Sequence, residues 1–178
     1  MNATNGQYFR REDYAGFWLR LLIDIIDSLV AVAICSALAI ALWAAFPLSA
    51  KVNGLILAAC AVIAFCYFVL LKRSKILTIG YRIGGVRIVG LDGRPPSVVS
   101  LILRVLFAIG PLNGLDLIWL SGDTHRQALR DKFAETYVIK RQAEPAGKGK
   151  LVYHYYEICG YSFLFREVDI EKSAIVSG

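Results

Sequence analysis

Hydrophobic residues in this chain collect into three long runs, separated by basic and glycine-rich stretches. The first covers residues 15–46 and would reach about 48 Å as one helix at 1.5 Å per residue. Its second half, 28–46, is uncharged, and Pro47 then predicts the end of the helix because it cannot continue the hydrogen-bond ladder. Residues 52–71 form a second run without a charge, closed by Lys72 and Arg73. About 20 apolar residues cross a bilayer core, so both runs predict membrane spans. A soluble amphipathic helix would show polar residues at every turn.

The third run, 98–120, follows Ser97, a good N-cap. It contains Arg104 and is interrupted by Gly110-Pro111, Asn113 and Asp116. A full crossing would separate it from the basic residues after 123. A broken helical segment that enters and leaves on one side reconciles the two, because non-helical backbone at depth is tolerated when covered by protein. Between the second and third runs, 86–89 alternates as a half-exposed strand does, and Leu91-Asp-Gly-Arg94 signals a turn. Residues 135–140 are a second strand able to pair with 86–89. Thr124-His-Arg-Gln127 fits a capping box opening a short helix that runs to about Phe133.

The expected architecture is a membrane all-α fold. Its parts are two transmembrane helices, a third broken hydrophobic helix, a small cytoplasmic β element and a C-terminal β-hairpin. Residues 1–14 are polar and read as a loose cytoplasmic tail. Residues 15–141 form the membrane domain, with helices near 15–46, 52–71 and 98–120. A linker at 144–150 precedes two aromatic-rich strands flanking Cys159-Gly160, within a tail spanning 142–178. An isolated hairpin is marginal in water, so these strands should dock on the membrane-proximal surface or on a partner.

Composition sharpens this picture only through its distribution. The chain is 57% hydrophobic with a net charge of +6, and soluble domains are themselves about half apolar. Residues 72–94 hold six Lys or Arg against one Asp. Beside a span this signals a cytoplasmic loop rather than a nucleic-acid surface, and it orients 47–53 outward and the amino terminus inward. The four cysteines form no CxxC; three lie in apolar runs, with Cys60 and Cys66 about 240° apart on a helix. They read as small buried hydrophobes, and His125 and His154 lack a second ligand at zinc-type spacing. Neither a metal nor a cofactor is expected. No Ser/His/Asp grouping or phosphate loop points to an enzyme.

The candidate chemistry sits in the first run. On a helix, Asp24 lies about 40° from Arg20 and Asp27 about 20° to the other side, so all three share one stripe. Charged residues in membrane segments usually face protein and find partners. Two placements stay open: the three are boundary charges on an interfacial turn, or they lie inside a strongly tilted span.

The motif Ala15-Gly-Phe-Trp-Leu-Arg-Leu-Leu-Ile-Asp-Ile-Ile-Asp27 resembles the first signature of the RDD family of bacterial integral membrane proteins. Arg126-Gln-Ala-Leu-Arg-Asp-Lys-Phe-Ala-Glu-Thr-Tyr-Val138 is similar to its late signature, and 80–96 to its glycine-rich strand and turn. The resemblance covers about residues 14–141. It carries the family's arginine onto Arg20 and its aspartates onto Asp27 and Asp131; Asp24 is not a signature position, and Arg130 stands where many members have histidine. The family's molecular function is mostly unassigned, and monovalent cation/proton antiport is attributed to some members.

Two functions follow as expectations for a multi-pass protein of the cell membrane with both termini cytoplasmic. In one, Asp27 exchanges protons or small cations within a network with Arg20, Asp131, Asp24 and Arg104, in a homo-oligomer. In the other, the same network is a structural clamp and the cytoplasmic strands bind a membrane-protein partner. The bilayer is a partner in both.

Overall fold

A computed structural model describes residues 5–46, 49–109, 116, 119–120, 123, 125–158 and 160–169. Two long helices, α1 (Phe17–Ala45) and α2 (Ala50–Phe65), form a hairpin. Helix α2 continues through a π-helical stretch, Cys66–Leu71. Trp43 Nε1 donates to Asn53 Oδ1 at 3.1 Å near the connection, and Ser49 Oγ caps α2 by accepting from Val52 N. Both helices are long and apolar enough to cross a membrane. In their most apolar stretches only 6% of α1 and 17% of α2 is buried, whereas the core helix of a soluble protein would be covered. The faces carrying Leu29, Val32, Ile40, Leu57 and Val62 are exposed.

The buried residues of α1 are Arg20, Ile23, Asp27 and Ala31. Their spacing of three and four follows one helix face. The apolar majority of α1 is therefore outward, and the one covered stripe is the one with charges. Against it packs a short helix, α3 (Ile79–Ile83). A Cβ on Gly80 would lie 2.6 Å from the Ile23 carbonyl oxygen, and one on Gly84 would lie 2.5 Å from Ile23 Cδ1. Glycines four apart thus give α3 the flat face that lets it reach α1.

Strand β2 (Val86–Gly90) pairs antiparallel with β3 (Thr136–Lys140), Val86 opposite Lys140 and Gly90 opposite Thr136. Side chains alternate across this ribbon, and both faces are covered. Val86, Ile88 and Val138 join Ile23, Val69 and Leu101 in one core, while Val89, Tyr137 and Ile139 join Phe9, Tyr14 and Val168 in another. Helix α4 (Val98–Ile109) is capped by Ser97, whose Oγ accepts from Ser100 N at 2.9 Å. Helix α5 (Leu129–Phe133) leads into β3, and the hairpin β4 (Gly147–Ile158)–β5 (Tyr161–Asp169) ends the described chain.

Several expectations change. Residues 5–14, the described part of the expected 1–14 tail, are not loose. Strand β1 (Asn5–Tyr8) pairs with β4, giving the order β1-β4-β5, and Phe9 and Tyr14 are core residues. Main-chain pairing holds this polar strand, so it has no hydrophobic alternation to read. The linker at 144–150 is shorter than expected, because β4 already begins at Gly147. Of the expected 142–178 tail, the described residues up to 169 are not separate, since Phe165 and Val168 are buried against the rest of the chain. Of the five strands among the described residues, the β2–β3 ribbon and the β4–β5 hairpin are the expected β element and C-terminal hairpin, and β1 is the addition. Gln127 does not close a capping box; its Nε2 donates to the Thr136 carbonyl, and the helix starts only at Leu129. Pro47, the Gly110-Pro111 break, Thr124 and Cys159 lie outside the described residues.

Candidate functional site

Helix α5 is only five residues long, yet Arg130, Asp131 and Lys132 are all buried. Successive residues point about 100° apart, so each meets a different neighbour. Asp131 receives Arg20 from α1 and Arg104 from α4, and Ala128 N donates to its Oδ2 at 3.1 Å. Arg130 Nη2 lies 2.6 Å from Asp24 Oδ2, and its Nε lies 3.1 Å from Asp116 Oδ2. Lys132 Nζ contacts Asp123 at 2.6 Å and Glu167 of β5, and it sits over the Tyr156 ring. One turn of helix thereby ties α1 and α4 to the last strand.

Arg20 spreads its guanidinium over three acceptors. Nη1 goes to Asp131, Nε to the Ala15 carbonyl at 3.1 Å, and Nη2 to the Arg126 carbonyl at 2.8 Å. Arg104 Nη1 also donates to Thr136 Oγ1 at 2.8 Å. Burial alone pushes the Asp131 carboxyl up, but Arg104 and Arg20 outweigh it and bring it down to about 2. For Lys132, burial favours the neutral amine, and Asp123 with Glu167 more than reverses this.

Asp27 belongs to a second cluster. Its Oδ1 accepts from Tyr67 Oη at 3.0 Å and Gly80 N at 2.8 Å, its Oδ2 accepts from Thr78 Oγ1 at 2.7 Å, and Lys72 Nζ stands 3.7 Å away. Asp27 is fully buried. The π-turn explains how α2 supplies both Tyr67 and Lys72. Five residues apart on an α-helix they would diverge by about 140°, whereas an i→i+5 turn carries the later residue back over the earlier one. Lys72 also covers the Tyr81 ring, 4.7 Å from its centroid.

Among the described residues, the non-glycine positions with positive φ are Leu77, Arg126 and Glu135, at 60°, 47° and 53°. Left-handed backbone is disfavoured for such side chains. Each abuts the charge clusters: Leu77 precedes Thr78, Arg126 supplies a carbonyl to Arg20, and Glu135 precedes Thr136. Strain of this kind persists where the surroundings over-determine it.

The network has a definite level along the hairpin. Asp27 lies beside Lys72, the cation that ends the second span, and about 15 Å from the start of α1. Arg20 and Asp24, earlier in α1, sit beyond that level. Four cations, Arg20, Lys72, Arg104 and Arg130, face four carboxylates, Asp24, Asp27, Asp116 and Asp131, with Asp131 taking two arginines and Arg130 two aspartates.

A cavity of about 280 Å³ opens among α1, α2, α4 and α5, lined by Asp24, Ser28, Phe68, Lys72, Arg104 and Arg130 with apolar residues of α4. Asp24, 28% exposed, is the carboxylate on its wall. Among the described residues no group of three or more His, Cys, Asp or Glu could hold a metal ion.

The sequence profile described as the RDD family matches residues 14–135, which contain Arg20, Asp27, Asp131 and their partners. The chain belongs to the RDD family. No curated protein and no solved structure matches it. With its two long apolar helices, this RDD chain is a membrane protein.

The buried charges thus fall into two neighbouring groups, Arg20 with Asp131 and Arg104, and Asp27 with Tyr67, Thr78, Gly80 and Lys72. Asp24 joins the first group through Arg130. Sequence reasoning missed Tyr67, Thr78, Asp116, Asp123, Arg130, Lys132 and Glu167 as partners. Lys72 and Lys132 were visible only as members of basic stretches. For Tyr67 and Thr78 the one available signal was the need to satisfy a buried carboxylate.

Proposed function

We propose that this RDD protein is a non-catalytic membrane assembly or partner-binding protein whose Arg/Asp network is a structural clamp. The clamp holds a β-rich cap on the end of a two-helix membrane hairpin. The carrying observation is the state of Asp27: fully buried, with protein donors on both oxygens. A carboxylate that exchanges ions must release such donors and meet water. Asp131, under two guanidinium groups, is equally occupied. The level of the network, at the end of the second span rather than along its length, supports the same reading.

Strand pairing bears on orientation. Strands β1 and β4 are hydrogen-bonded neighbours, and Tyr14 bridges to Ile139 of β3. Paired strands lie on one side of a bilayer, so both ends of the described chain share a side. The basic stretch 72–94 favours the cytoplasm for that side.

Transport of protons or monovalent cations is the second reading, favoured by the cavity with Asp24 on its wall. It would make Asp24, rather than Asp27, the exchanging group. One experiment separates the two: ion flux in liposomes for wild type, Asp24→Asn and Asp27→Asn, with thermal unfolding of each. The clamp reading expects no ion-selective flux from any of them and a large loss of stability for Asp27→Asn. Flux in wild type that Asp24→Asn abolishes without loss of stability would overturn it.

A further inference from the structure

We infer that a groove at the end of the second span binds the phosphate group of an anionic phospholipid. This groove, about 320 Å³, lies between the end of α2, strand β2 and the turn at 93–96. Lys72, Arg73, Lys75, Arg87 and Arg141 line it, and no lining residue is acidic. These cations come from three separated segments. Lys72 also faces Asp27 at 3.7 Å, but the other four contrast with Arg20, Arg104, Arg130 and Lys132, each of which faces a carboxylate.

Among the described residues, Arg73, Lys75, Arg87 and Arg141 form no ion pair. Asp92, next to the lining residue Gly93, is engaged by Arg94, its Oδ1 accepting from Arg94 N at 3.0 Å and its Oδ2 lying 3.9 Å from Arg94 Nε. Arg87 adds a second observation. Its Nη2 donates to the Ala143 carbonyl at 3.1 Å, while its Nε is buried without a hydrogen-bond partner. A buried donor left unsatisfied calls for a missing acceptor. Converging like charges without a counter-charge calls for an anion.

Phosphate oxygens suit a guanidinium fork. A lipid headgroup is favoured over a free phosphate ester by position. The groove adjoins the boundary where α2 leaves the apolar run, and the neighbouring Ile76 is 64% exposed. Basic clusters just outside a span attract anionic headgroups by about 1 kcal/mol per Lys or Arg, so two removed cations correspond to about thirtyfold in affinity.

The test uses the full chain in nanodiscs of phosphatidylcholine, with and without phosphatidylglycerol. Retained lipid is read by native mass spectrometry and the melting temperature is followed. Wild type should retain phosphatidylglycerol through detergent exchange and melt higher in its presence. The double variant Arg87→Gln/Arg141→Gln should bind about thirtyfold more weakly, with an unchanged melting temperature in phosphatidylcholine alone. If that variant does not fold, Arg73→Gln/Arg141→Gln, at two exposed side chains, replaces it. Arg10→Gln/Lys150→Gln removes the same charge elsewhere and should bind as wild type does. Equal weakening in both double variants, or in neither, overturns the site. Glycerol 3-phosphate or inorganic phosphate binding as tightly as the lipid would overturn the lipid as source and leave a phosphate-ester site.

Discussion

Arg20 in the first membrane helix and Asp131 in α5 stand 111 positions apart in sequence and form a buried ion pair, 2% and 0% exposed. The guanidinium is shared with two main-chain carbonyls, so one side chain fixes the start of α1, the turn at Arg126 and α5 together.

Removing one member of a buried, hydrogen-bonded charge group strands the others, at a cost of about 3–5 kcal/mol. Asp131→Asn should therefore lower thermal stability in detergent steeply. Arg20→Lys should recover little of what Arg20→Gln loses. A single ammonium cannot serve the Ala15 carbonyl, Asp131 and the Arg126 carbonyl, which three different nitrogens now reach. A Lys variant as stable as wild type would contradict this division of labour.

Gly80→Ala would force a methyl to 2.7 Å from Asp27 Oδ1 as well as against the Ile23 carbonyl. Overpacking of this kind costs about 1–3 kcal/mol. Gly54, also in a helix, has nothing within 4 Å of an added Cβ. Gly54→Ala should be neutral or gain up to about 1 kcal/mol from helix propensity. Melting curves of the two variants should move in opposite directions, or only the first should move.

The pair of extended helices was legible because charges vanish from 28–46 and 52–71, and β2 was legible because Val86, Arg87 and Ile88 alternate, although Val89 is buried on the other face rather than half-exposed. The common stripe of Arg20, Asp24 and Asp27 follows from helical geometry alone. What binds that stripe was not legible. Tyr67 reaches Asp27 through a π-turn, and Thr78 follows a left-handed Leu77, neither of which leaves a periodic trace. Arg130 and Lys132 looked like members of a basic stretch because their carboxylate partners come from distant segments. Strand β1 was missed because Asn5-Gly-Gln-Tyr8 is held by main-chain pairing rather than by burial of alternate side chains.

Acid should lower the stability of the protein in two steps. His125 is buried, with Nδ1 3.3 Å from Tyr14 Oη, and burial lowers its pKa below 6.5 even though Asp123 opposes the shift. Between the folded value and 6.5 the unfolded chain binds more protons, so stability is full above 6.5 and declines as pH falls through that range. Asp131 contributes stability that is full above 3.8 and lost as pH falls toward about 2. Melting temperature against pH should show both limbs, and His125→Gln should flatten the upper one. An unchanged upper limb would assign it to another group.

Lys132→Met leaves Asp123 and Glu167 facing each other without their shared cation. Hydrogen exchange should quicken across β5 more than across β2, because Glu167 sits on β5. Adding Glu167→Gln should restore part of the protection, a coupling that a double-mutant cycle measures.

The long separation of Arg20 from Asp131 also orders events during synthesis. At about 5–20 residues per second, roughly ten seconds pass between translation of the arginine and of its aspartate. Throughout that interval the nascent first helix carries a cation whose partner in the finished fold does not yet exist. A chain halted before α5 would leave Arg20 with the carboxylates of its own helix but without Asp131, and so would differ electrically from every completed molecule.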